Sequence, residues 1–246
     1  MAHLNENNQL VGSLGNLIFR IVKGKVIVQT KPDYAKLKQT KATQKSATDF
    51  GRASTVTQKF NAGLQEIVQG YHSPDMYNRM RSKILQGMRT HTSLPLGEKN
   101  LWDGTPELLE GFEFNHESQY KDFSDLWVVN WQLDVENRVH FQQKAFVPKT
   151  HLHWLPFTGR LEVAYWIGAF HKKDYKPTQQ HFIKFEVYPN YTEVPIQNFI
   201  SDAFPTESLI IVAASLLYYK LDPVVGEILL NHKQCHPVRI LKVMKT

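Results

Sequence analysis

The run Leu209–Tyr219, LIIVAASLLYY, holds eleven residues of which only Ser215 is polar. A segment of that composition has to be buried on every side, and by length alone it fits a strand or a short helix. Ile210, Ile211, Val212, Tyr218 and Tyr219 favour a pleated surface, and Lys220-Leu221-Asp222-Pro223 ends the run. Read as a strand, it needs cover on both faces, so the C-terminal half of the chain must be layered around it.

Period-two alternation precedes it. Trp127, Val129, Trp131 and Leu133 share one face of a strand, as do Val139, Phe141 and Gln143 within Arg138–Phe146. Leu161, Val163, Tyr165, Ile167 and Ala169 line one side of Arg160–Phe170, and Ile183, Phe185 and Val187 one side of His181–Tyr188. Glu227–Asn231 and Val238–Met244 follow the apolar run. Strands at this spacing without intervening helices point to an antiparallel β-sandwich, immunoglobulin-like or jelly-roll-like, over residues 101–246.

Residues 1–100 read differently. Leu17–Val22 and Val26–Gln29 flank Lys23-Gly24-Lys25, a β-hairpin around a glycine loop. Lys31-Pro32 ends it, because proline cannot donate to a ladder. The segment Asp33–Lys41 is then a polar, basic linker. A helix is expected over Thr43–Gln69, with Phe50, Ala53, Val56, Phe60, Leu64 and Ile67 on its buried side. Gly51 and Gly63 weaken it by about 1 kcal/mol each. A second helix starts at Ser73 as N-cap and Pro74 at the first turn, with Met76, Met80, Ile84 and Met88 as its stripe. The two form a helical hairpin, and Thr92–Asn100 is the boundary to the sandwich. The fold class is therefore α+β, mainly β: a basic hairpin and helical arm over 1–100, then the sandwich.

Charge divides along the same line. Residues 1–100 carry 15 lysines and arginines against 6 acids, a net +9, while residues 101–246 carry 14 against 17, a net −3. A basic arm of this kind suits an acidic partner, nucleic acid among them. Lys36, Lys38, Lys41, Lys45, Arg52 and Lys59 are the residues that would meet phosphates, although no base-reading motif accompanies them.

Candidate chemistry is sparse. Cys235 is the one cysteine, which excludes an intrachain disulfide and a Cys-x-x-Cys pair. His151-x-His153 puts two rings on one face if extended, half of a metal site or a polar strand edge. His232-Lys233-Gln234-Cys235-His236 offers imidazoles and a thiol, but reads as a polar turn with nothing to orient or activate the sulfur. There is no Gly-x-Ser-x-Gly elbow, and Gly12-x-x-Gly15 lacks the lysine and the helix of a phosphate loop. The carboxylates of Asp103–Asp125 single out no acid–base pair. No cofactor, metal or catalytic residue is expected. Met1–Gln9 lacks the basic start and apolar core of a signal peptide, and the apolar run falls short of the roughly 20 residues that cross a bilayer as a helix. The expected compartment is the cytoplasm, with export by another route left open.

Two stretches carry a resemblance. GSLGNLIFRIVKGKVIVQTKP (Gly12–Pro32), followed by Lys41-Ala42-Thr43 and Phe50-Gly51-Arg52-Ala53-Ser54, resembles the N-termini of uncharacterised proteins widespread in Bacteroidetes. Gly111–Asn115 and Leu209–Tyr219 are similar to the strand-rich second half of that group. The resemblance implies a bacterial origin and a two-part layout, and brings no activity with it.

What remains is a physical problem posed by the hairpin. Leu17, Phe19, Ile21, Val26 and Val28 are too apolar for water, and a two-stranded hairpin is marginal alone. These five residues are expected to pack on a protein partner or a neighbouring subunit. Trp154, in the loop His153–Phe157, is the aromatic placed either to anchor a protein or sugar contact or as a lid over one end of the sandwich. The function expected is a non-enzymatic structural or interaction module, with nucleic-acid binding by the basic arm as the alternative.

Overall fold

The structure, a computed structural model, describes residues 1–33, 39–126 and 128–246, and of residues 128 and 129 the backbone alone. Most of the expected linker, with Lys36 and Lys38, and the expected strand residue Trp127 lie outside the described residues. Packing divides the chain into two compact units, Met1–Gln44 and Lys45–Thr246.

In the first unit, β1 (His3–Leu4), β2 (Leu10–Leu14), β3 (Leu17–Val22) and β4 (Lys25–Thr30) form an antiparallel sheet in sequence order. The expected hairpin is its β3–β4 half, in the register Phe19↔Val28 and Ile21↔Val26. The polar start of the chain supplies the other half. Asn5 Oδ1 accepts from the backbone of Asn7 and Gln9 at 3.1 and 2.8 Å and shapes the β1–β2 turn. Asparagine makes turns of this kind, so Met1–Gln9 is a strand and a turn rather than a loose end.

In the second unit the apolar run is β10 (Ser208–Asp222), the centre of a five-stranded antiparallel sheet. β7 (Arg160–His171) pairs along one side of it, followed by β8 (Pro177–Val187). β11 (Gly226–Leu229) and β12 (Val238–Lys245) share the other side, at opposite ends of β10. A three-stranded sheet of β5 (Val128–Leu133), β6 (Arg138–Gln143) and β9 (Gln197–Ala203) forms separately. The chain is strand-rich α+β with antiparallel sheets.

Both faces of β10 are covered, by different partners. Leu209, Ile211 and Ala213, with Trp166 and Phe170 of β7, join the core of the helices α1 (Lys41–Gly63), α2 (Gln65–Val68) and α3 (Met76–Arg89). Phe60, Met80, Ile84 and Met88 contribute the helical side and are fully buried. Ile210, Val212, Ala214, Leu216 and Tyr218 turn the other way, onto Val139 and Phe141 of β6. From Leu209 to Ala214 the run is thus a two-sided strand, each parity serving its own core.

The helical pair expected in the N-terminal arm is therefore half of the cover of the C-terminal sheet, and the division of the chain falls at Gln44 rather than near residue 100. Two local expectations also change. The first helix breaks after Gly63, where a Cβ would stand 2.7 Å from the Phe170 ring. Ser73 does not cap α3: its hydroxyl accepts from the His116 backbone at 2.7 Å and ties the helix start to the 115–116 segment. β9 carries little strand signal in its letters, because Gln197–Ala203 sets exposed Ile200 beside part-buried Phe199, a weak alternation.

Candidate functional site

The β3–β4 register sets Leu17, Phe19, Ile21, Val26 and Val28 on one face of the N-terminal sheet, since each Phe19–Val28 and Ile21–Val26 pair lies directly across the ladder. Leu14, opposite Leu17, extends it. Val28 is 51% exposed and Leu14 61%; Leu17, Ile21 and Val26 are also exposed, and Phe19 is part-buried. No charged side chain interrupts these six positions. β4 is the outer strand of the sheet, and its one charged residue is Lys25, at the start. An apolar face beside a flat, scarcely charged edge is a surface that natural proteins cover or pair.

Trp154 is not part of any such exposed face. It is half-buried against the core between the two C-terminal sheets, and its Nε1 donates to the Pro148 carbonyl at 3.0 Å. The exposed aromatic in that loop is Phe157, 84% accessible with φ at +66°.

The basic residues are placed by helix geometry. Lys45, Arg52 and Lys59 recur at seven-residue intervals and so share one side of α1, while Lys41 opens the helix. Arg52 reaches the Lys99 carbonyl at 3.5 Å, and its nearest carboxylate, buried Asp49, is 3.9 Å away. Asp49 is itself held by the backbone N–H groups of Gly97 and Lys99, at 2.9 and 3.2 Å. Arg52 and Lys59 line a groove that Lys99, Lys173 and Lys176 also enter. Those three come from remote segments, and no sequence pattern links them to α1.

The histidines His151, His153 and His236 are each held by local contacts. His151 ends a helical turn, α4 being Tyr120–Phe123 and α5 Pro148–His151, and its Nδ1 is 2.9 Å from the Val147 carbonyl oxygen. His153 packs edge-on to Phe123 at 5.2 Å, so the pair does not converge. His236 is fully buried: Nδ1 accepts from Asn231 Nδ2 and Nε2–H donates to the Ile67 carbonyl, each at 2.9 Å. Burial lowers its pKa to about 4, so the ring is neutral. Burial raises the pKa of the neighbouring Cys235 thiol, the opposite of what a nucleophilic sulfur needs. Among the described residues no three His, Cys, Asp or Glu side chains gather as a metal site would require.

One acid stands out from the Asp103–Asp125 stretch. Glu113 is largely buried, accepts from the Tyr120 backbone at 2.8 Å, and lies 3.6 Å from Arg239. Burial raises its pKa, its hydrogen bonds and Arg239 opposing. Tyr120 and Arg239 border a cavity of about 510 Å³ that Glu110, Lys121, Ser124 and Asp125 also line, and the Glu113–Arg239 ion pair ties β12 to the 111–120 segment. No described helix is long and apolar enough to cross a membrane. Family models, curated proteins and solved structures were all compared with the chain, and none matches it.

Proposed function

We propose that the protein is a non-enzymatic structural or interaction module whose N-terminal sheet packs on a neighbouring subunit. The observation that carries this reading is the uncharged apolar face of Leu14, Leu17, Phe19, Ile21, Val26 and Val28, five of the six exposed. A face with no charge selects an apolar counterpart of the same flat shape, and a second copy of the same sheet supplies one. The three longer strands span roughly 14 Å by 20 Å, well under the ~800 Å² a side that a standard stable interface buries. Association through the face alone is therefore weak and concentration-dependent. Main-chain pairing along the β4 edge adds to it, as in other strand-addition contacts.

In this reading the second unit is the rigid body, a sandwich of the immunoglobulin-like or jelly-roll-like kind. Its outer face is covered by helices, and the three-stranded sheet is the second β layer. The test is to remove residues 1–31 and measure mass by light scattering over a range of concentrations. The full chain gains mass as it is concentrated and the shortened chain stays monomeric. Two monomers of unchanging mass would end the proposal.

A further inference from the structure

The groove beside α1 has a makeup that the assembly reading does not use. It has a volume of about 540 Å³ and is bounded by α1, the Glu98–Leu101 segment and the β7–β8 turn. This is the size of a pocket for a single small molecule, not a surface track. Arg52, Lys59, Lys99, Lys173 and Lys176 enter it, against the carboxylates of Glu98 and Asp174.

The ion pairs sharpen the imbalance. Asp174 is already engaged by Lys176 at 3.2 Å and by His171 at 3.3 Å. Among the described residues no carboxylate comes within ion-pair distance of Lys59, Lys99 or Lys173, and Arg52 has only Asp49, at 3.9 Å. Lys99 is the telling member. It is 7% exposed, and its ammonium is met by the His91 carbonyl oxygen, a neutral acceptor. A nearly buried cation held by a dipole alone favours an anion nearby. Lys59, Lys99 and Lys173 thus stand without an ion-pair partner among the described residues, although Glu207 attracts Lys173 from farther off, and Glu98 is the one uncommitted carboxylate lining the groove.

The floor argues for a compact ligand. Tyr175 is 5% exposed, its hydroxyl accepts from the backbone of Leu101 and Trp102 at 3.1 and 2.8 Å, and its ring is edge-on to Phe60. It offers no open face on which a base could stack, and stacking is what single-stranded nucleic acid needs of a groove.

We propose that this groove binds a small polyphosphorylated anion, with Arg52, Lys59, Lys99 and Lys173 meeting the phosphate oxygens. The phosphate chain could be free or carried by a nucleotide, and calorimetry with inorganic triphosphate and with ATP separates the two sources. The probes are titrated into the full chain, with an oligothymidylate of about 12 nucleotides as the third arm. Triphosphate should bind at one site per chain, and more weakly at about 200 mM than at about 50 mM salt. K59Q and K173Q together, at a part-buried and an exposed position, should weaken it about tenfold or more while leaving the melting temperature unchanged. ATP binding tighter than triphosphate assigns the nucleotide, and equal or weaker binding assigns the bare phosphate chain. Absence of binding by both small probes overturns the proposal, as does affinity indifferent to the double variant or an oligonucleotide that binds more tightly than either.

Discussion

Gly51 and Gly63 look alike in the sequence, two glycines inside one helical pattern, yet their surroundings differ. A Cβ at Gly51 would meet nothing within 4 Å, whereas at Gly63 it would press on Phe170, which is itself packed on Phe60 at 4.7 Å. G51A should therefore raise the unfolding free energy by about 1 kcal/mol, the intrinsic helix preference of alanine. G63A should lower it by about 1 to 3 kcal/mol through overpacking. Urea denaturation of both variants decides, and the same sign for the two would contradict the packing described. His236 gives a pH signature at the same scale. Its folded pKa of about 4 lies below the ordinary 6.5, so its contribution is complete above pH 6.5 and is lost as pH falls toward 4. Between pH 7 and pH 5 the unfolded chain takes up a proton that the folded one refuses, which costs about 2 kcal/mol. H236Q should flatten the urea midpoint over that interval; an unaltered slope would mean that the ring is not the group responsible.

Among the elements, the strands were legible wherever one face was buried and the other wet, because period two then shows in the letters. β10 was legible for the opposite reason, an unbroken apolar run, but its letters could not say that Leu209 and Ile211 meet helices while Ile210 and Val212 meet a sheet. The amphipathic stripes of α1 and α3 were equally plain, and their docking on β7 and β10 was not, since a stripe specifies an apolar partner without naming it. The five residues of the N-terminal face were readable as a set, and β1 and β2 were hidden by polar turn residues such as Asn5. The groove was unreadable, being assembled from positions as distant as 52 and 176. Arg160 illustrates how such remote pieces hold elements together. Its side chain, 6% exposed, pairs with Glu162 on its own strand, Glu186 on β8 and Glu227 on β11, and lies 4.1 Å from the Tyr219 ring on β10. R160M leaves Glu186 and Glu227, both half-exposed, without their cation, while Glu162 keeps Lys184 at 3.0 Å, and should cost about 2 kcal/mol at pH 7. The arginine holds the Glu227 pKa down, so the penalty should shrink as pH falls through the carboxylate range. A penalty independent of pH, read from urea midpoints, would assign it to packing.

At the scale of the whole molecule the chain is two units with contrasting surfaces. Residues 45–246 bury their apolar side chains in two cores, one on each face of the five-stranded sheet. Residues 1–44 form a sheet whose apolar face stays largely accessible, and that contrast is the ground for assigning the first unit to contacts between chains. The most direct test leaves the chain at full length and alters only the exposed positions Ile21 and Val28. Sedimentation velocity of the wild-type chain and of the double variant I21K/V28E, each over a range of concentrations, reads association with little risk to the fold, since surface substitutions usually cost within about 0.5 kcal/mol. The account predicts a sedimentation coefficient that rises with concentration for the wild type and stays at the monomer value for the variant; identical behaviour of the two would contradict it.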